Sequence, residues 1–347
     1  MNTALSIIIG IIIFCAIIII HEGGHFFAAK ACGVPVSEFA IGMGPVIFKK
    51  QGKETLFTIR LFPIGGFCSM GEDEESEDEN SFRRQAVWKR MIVIVAGAFM
   101  NIILGFILSF IFFGVSGKGI TNTIALFSDD NAPSHVSGLE VGDEFVRING
   151  LKVFTMNDVI YELTNDEDGL VDFVVRRNGD LVTLNGVRFE TRLDPETGKQ
   201  TLVYDFKVYS EKITAGNLAR YSVNKFIYDG RIVLMSLRDI IRGKYGINDL
   251  SGPVGIVSAI SSVTAQTGKV DWGYMLEMAM LITINVGIFN LLPLPSLDGG
   301  RFVFLVIEAI RRKQLKAETE GMIHFVGISL LMVLMVVVTF NDIRALL

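Results

Sequence analysis

Apolar residues in this chain gather into four long runs, at about residues 4–29, 91–115, 274–297 and 322–341. A bilayer-crossing helix needs roughly 20 such residues, so each run can span. The first is almost unbroken from Ala4 to Ile20 and then meets His21-Glu22-Gly23-Gly24-His25. The third ends in Asn290-Leu-Leu-Pro-Leu-Pro-Ser-Leu297. Over residues 36–70 the period falls to two: Val36 to Ile41 alternates, Gly42-Met43-Gly44-Pro45 turns, and Thr55 to Phe62 alternates again. This β-hairpin or small sheet is apolar enough to dip into the membrane; a loop packed on the cytosolic surface is the alternative. Residues 117–208 read as a small α+β module outside the membrane, with a helix at Met156 to Thr164 and strands at Val171 to Arg177 and Leu181 to Phe189. Residues 209–273 form a connector, amphipathic over 214–243, with a loop at Ser251-Gly-Pro-Val-Gly255. The expected fold is a polytopic α-helical membrane protein with a membrane-associated β-hairpin and an extracytoplasmic α+β domain. Its membrane core lies in two halves, 1–116 and 274–347.

Composition agrees. Half of the 347 residues are hydrophobic and the mean hydropathy is +0.46, too apolar for an ordinary soluble domain. A net charge of -5 gives no case for nucleic acid. Cys15, Cys32 and Cys68 are scattered and odd in number, so neither a disulfide framework nor a thiolate zinc site is expected. No Lys or Arg precedes the first run, which argues against a cleaved signal peptide. Nine Lys and Arg lie between the first two runs, from Lys30 to Arg90, and five lie at Arg301, Arg311, Arg312, Lys313 and Lys316. Basic loops stay in the cytosol, so both termini and the module should face outside. The acidic run Glu72 to Glu79 reads as a solvated linker.

His21 and His25 sit at i and i+4, on one face of a helix, where both imidazoles reach one metal. Glu22 is placed to take a proton from the attacking water. Catalytic zinc takes three protein ligands and keeps a position open. Asp298 is the third candidate, because a carboxylate ending an apolar span is costly unless paired or metal-bound. It could instead cap a helix starting at Gly299, but the histidine pair favours ligation. His135 and His324 are expected at the surface or interface. Gly23 and Gly24 serve either close approach of a substrate or helix packing. Pro293 and Pro295 break the third run, and their freed carbonyls with Asn290 could hold a substrate strand. Asn101 and Asn285 are expected to hydrogen-bond between helices.

With these residues together, the chain resembles the site-2 protease family of intramembrane metalloproteases, in its bacterial RseP-like branch. His21-Glu-x-x-His25 and Asn290-x-x-Pro293-x-Pro295-x-x-Asp298-Gly correspond to its two signature motifs. Gly42-Met-Gly44-Pro45 looks like its membrane-associated β-loop, and Gly138-Leu-x-x-Gly-Asp143 like the binding-loop region of a PDZ domain, for which there is room for one. The resemblance implies an inner-membrane zinc (Zn2+) protease with an extracytoplasmic PDZ domain. Its substrates would be single-pass membrane proteins, such as a trimmed anti-sigma factor or a remnant signal peptide. A peptide or C-terminus at the PDZ domain is a further partner. A PDZ-bearing scaffold with a structural metal is the alternative, and a metal transporter a third.

Overall fold

The computed structural model describes residues 3–71, 80–166, 168–193, 200–244, 252, 255 and 271–346. The acidic run and most of Ser251–Gly255 lie outside these. The chain divides into two compact units, one of residues up to Leu108 with those from Val233 onward, the other Ser109–Ile232.

The first unit is built on helices. α1 is Thr3–Cys32 and α2 is Val87–Ser116, which continues into the second unit. After the connector come, in our numbering, α6 (Trp272–Asn290), α7 (Asp298–Arg311) and α8 (Ala317–Leu346). Among the described residues four helices are long and apolar enough to cross a membrane: α1, α2, α6 and α8. Large apolar side chains such as Ile12, Ile107, Leu330 and Val336 stay exposed on them. Such surface is stable against lipid, not water. The third span stops at Asn290, seven residues earlier than the apolar run suggests. Pro293 has no N–H to donate, and its ring disfavours helical backbone at the residue before it.

Two long strands, β1 (Glu38–Gln51) and β2 (Leu56–Ser69), fold into one small sheet. Glu38–Ile41 runs parallel to Leu56–Ile59 and is also matched, in descending order, with Ser69–Gly66. Phe48–Gln51 meets Ile59–Leu56 in descending order. β1 therefore changes partners midway. The bend falls at Gly42 and Gly44, both at φ 85°, a region closed to most L-residues. Beyond the bend, Met43, Ile47, Phe48, Ile59, Leu61 and Phe62 are exposed. The inner end packs with α1 and α2 around Ala29, Val36, Phe39 and Val93.

The second unit holds a sheet in the order β10-β3-β4-β6-β7, with β5 beside β4. These strands are β3 (Lys118–Phe127), β4 (Glu144–Ile148), β5 (Leu151–Lys152), β6 (Leu170–Arg177), β7 (Asp180–Arg188) and β10 (Phe206–Lys212). A boundary drawn at residue 208 would cut β10. A separate hairpin pairs β8 (Glu190–Leu193) with β9 (Gln200–Val203). Helices α3 (Pro133–Val136) and α4 (Met156–Thr164) join the sheet, whose core includes Phe145, Ile148, Leu163 and Phe173. Asp143 is fully buried, and Arg177 forks onto it with Nε and Nη2 each 2.8 Å from a carboxylate oxygen. That bidentate pair gives the Gly138–Asp143 stretch a structural purpose. α5 (Ala215–Ile241) is the amphipathic connector helix.

Candidate metal centre and its cleft

Helical periodicity sets His21 and His25 one above the other on α1. Their second nitrogens are held by α2. His25 Nδ1 donates to the carbonyl of Val93 at 2.8 Å, which leaves the Nε2 lone pair for a metal. His21 Nδ1 lies 3.3 Å from the carboxamide of Asn101. Asn101 is fully buried and its Oδ1 has no partner among the described residues. A half-turn of the carboxamide, whose two ends are interchangeable in placement, makes that oxygen the acceptor for His21 Nδ1–H. Two glycines bring the helices close enough. A Cβ at Gly24 would sit 2.4 Å from Ala96 O, and one at Gly97 would sit 2.3 Å from His25 Nε2. Gly24 therefore serves helix packing, whereas a Cβ at Gly23 would meet only the Phe27 ring, at 3.9 Å.

Asp298 arrives from the other end of the chain. After α6 the backbone turns through Leu291–Leu297, with Leu294 N bonded to Leu292 O across Pro293. Leu297 caps α7 and Asp298 is its first residue, so Asp298 is not the cap itself. The loop folds back so tightly that a Cβ at Gly299 would lie 2.2 Å from Leu292 O, and one at Gly300 would lie 2.3 Å from Leu294 O. These carbonyls are turned onto the start of α7.

The result is a near-equilateral triangle. His21 Nε2 and His25 Nε2 are 3.3 Å apart, and Asp298 Oδ2 is 3.2 and 3.3 Å from them. Ligands about 2.0 Å from a tetrahedral zinc are about 3.3 Å from one another, so the set fits that ion. Asp298 Oδ2 is buried without a hydrogen bond among the described residues, as a metal-facing oxygen would be. Glu22 lines the same cleft, of about 600 Å³, with Ile94, Arg301, Phe325 and the strand segment Gly66–Met70.

The other candidates lie further off. Asn290 is the last residue of α6, Pro293 and Pro295 shape the loop, and Gly42 and Gly44 make the bend in β1; none is among the residues lining this cleft. Asn285 is exposed on α6. His135 stacks on Phe127 and donates to Leu139 O, as a structural side chain. His324, expected at the surface, is instead 7% exposed and lines the cleft. Its place in an apolar helix hid this, because the loop it meets is 28 residues away. Asn101 bonds between helices as expected, from α2 to α1; that its partner is His21, 80 positions away, was hidden.

Bilayer-spanning helices carrying this triangle beside a glutamate define an intramembrane metalloprotease. The chain belongs to peptidase family M50, whose sequence model matches residues 9–334. A relative from Clostridium acetobutylicum is 33% identical over 97% of each chain. The zinc metalloprotease RasP of Shouchella clausii is 30% identical over 100% of each chain. The regulator of sigma-W protease RasP of Bacillus subtilis is 30% identical over 98% of this chain and 99% of its own. The protein is thus a multi-pass membrane zinc metalloprotease of the site-2 type, which sets aside the scaffold and transporter alternatives.

Proposed function

We propose that His21, His25 and Asp298 hold the zinc and that Glu22 moves the proton. The observation that carries this is the triangle of three ligand atoms with Glu22 on the same cleft wall. Bound zinc supplies Lewis acidity toward a carbonyl and toward water. Glu22 accepts the proton of the attacking water and returns it to the leaving amide nitrogen. Val93 O and Asn101 keep both imidazoles in the ligating tautomer.

Peptide bonds in a helix are shielded, since each carbonyl is occupied by its own hydrogen bond. The substrate segment must open before it is cut. The strand segment Gly66–Met70 borders the cleft and offers a backbone on which an opened segment can pair. Asn290 and the Pro293–Pro295 turn, outside the cleft lining, are assigned to hold the substrate strand beyond it, and Gly42 and Gly44 shape the sheet that carries the edge. The substrates are single-span membrane proteins. A relative that regulates sigma-W makes a trimmed anti-sigma factor the first class to test, with remnant signal peptides second. The second unit is read as a PDZ domain outside the membrane, which binds a peptide end or excludes bulky substrates. Both termini face outside and the metal lies near the cytoplasmic side.

The test is cleavage of a tagged single-span substrate by the purified protein in detergent, with products mapped by mass spectrometry. A cut inside the apolar span, abolished by Glu22→Gln and by a zinc chelator, is expected. A Glu22→Gln protein that cuts at the wild-type rate would overturn the proton assignment, and an Asp298→Ala protein with full zinc would overturn the ligand set.

A further inference from the structure

We propose that His324 is a positioning residue for the metal centre, holding the turn at Ser296 and through it setting the place of Asp298. The inference rests on Asp298 being a zinc ligand. Ser296 has φ 81°, a conformation that non-glycine residues rarely adopt. Such a turn persists only when its surroundings determine it. Here one residue of α8 holds it twice: Ser296 N–H donates to His324 Nδ1 at 3.0 Å, and Ser296 Oγ donates to the His324 carbonyl at 3.1 Å. A backbone N–H can only donate, so Nδ1 is the acceptor and the neutral ring carries its proton on Nε2. The ring stands edge-on to Phe304 of α7, with centroids 5.6 Å apart.

The next turn of α8 is moulded to the same loop. A Cβ at Gly327 would fall 2.5 Å from Ser296 Oγ and 2.6 Å from Pro295 Cβ. Only Leu297 separates Ser296 from Asp298, so a shift of the turn is a shift of the carboxylate. Metal–ligand distances hold to about 0.2 Å, which leaves little tolerance. His324 is not itself in the ligand group, which among the described residues is His21, His25 and Asp298.

The experiment uses the full chain in detergent, wild type against His324→Leu, His324→Asn and Asp298→Ala. Zinc affinity is read by chelator competition, and coordination by the visible spectrum of the cobalt-substituted protein. Asn keeps an acceptor close to the Nδ1 position, whereas Leu removes it. His324→Leu should weaken zinc binding 10–100-fold and alter the cobalt bands, with His324→Asn restoring affinity to within about threefold of wild type. If His324→Leu does not fold, His324→Gln replaces it, since its amide reaches the Nε2 position and leaves Ser296 N–H without its acceptor. Unchanged affinity and spectrum in His324→Leu, or equal behaviour of Gln and Asn, would overturn the positioning role while Asp298→Ala still loses metal. Full affinity in Asp298→Ala would overturn the ligand assignment beneath it.

Discussion

Asn101 stands to His21 as Val93 O stands to His25, and its contribution is measurable apart from catalysis. Asn101→Leu keeps the branched shape and removes the acceptor, so zinc affinity should fall 10–100-fold in a chelator competition. Unaltered affinity would show that His21 needs no partner at Nδ1. Gly97 gives a second test, because two effects on one residue have opposite sign. Alanine favours a helix by about 1 kcal/mol over glycine. Its Cβ would nevertheless lie 2.3 Å from His25 Nε2. In a buried site that clash outweighs the helix gain, so Gly97→Ala should leave the thermal midpoint of the zinc-free protein no higher than wild type, while zinc content and turnover drop at least tenfold. Such partnerships are what sequence conceals. His21 and His25 are local, four positions apart, and the helix period alone puts them together. Asn101 and Val93 are 80 and 68 positions away from the imidazoles they serve. Only the packing of α1 on α2 joins them, and no spacing encodes it.

Among elements, those with strong periodicity or strong breakers were legible: the four spans, α4, the connector helix and the strands β6 and β7 of the second unit. What pattern left open was how β1 and β2 pair, because a bend at Gly42 and Gly44 lets one strand change partners. The pairing decides which backbone borders the cleft. It is Gly66–Met70, not the earlier stretch 36–62 that alternation makes conspicuous. The direction of its groups follows from one contact. Ser69 O accepts from Ser37 N at 2.9 Å, so Ser69 faces inward across the sheet. Along a strand successive residues present their N–H and C=O to opposite sides. Cys68 therefore turns its N–H away from β1. Cys68→Pro removes that donor, and Cys68→Ala controls for the side chain. If substrate pairs along this edge, Cys68→Pro should lower turnover of a membrane substrate at least tenfold with zinc content unchanged, each lost backbone bond being worth about 1 kcal/mol and the fixed φ disturbing its neighbours. Equal turnover of the two variants would remove the edge from the mechanism.

For the whole molecule, the charge rule and the fold can be set against one another. Six Lys and Arg lie between α1 and α2, with Lys30, Lys89 and Arg90 on the adjoining helix ends, and five lie from Arg301 to Lys316. The rule places both groups in the cytosol. It treats each loop separately, and nothing in it requires them to meet. In the fold they do meet: Arg83 donates to Leu315 O at 2.7 Å and pairs with Glu320 at 3.3 Å, and Gln314 donates back to Arg83 O at 2.6 Å. A step deeper, Arg90 of α2 pairs with Glu308 of α7, both buried. Removing one partner of a buried pair strands the other charge, at about 3–5 kcal/mol. Glu308→Ala should thus lower the thermal midpoint markedly, and Glu308→Ala with Arg90→Leu should recover much of the loss; a double variant no better than the single would deny the pairing. Two loops tied in this way lie on one face of the bilayer, so the chain has one consistent orientation to test. An alkaline phosphatase fused after Leu347 should be active and one fused after Lys313 inactive, since that enzyme folds only outside the cytosol. Activity at Lys313 would turn the molecule over. The metal site, about two to three helical turns from the Cys32 end of α1, would then open to the exterior.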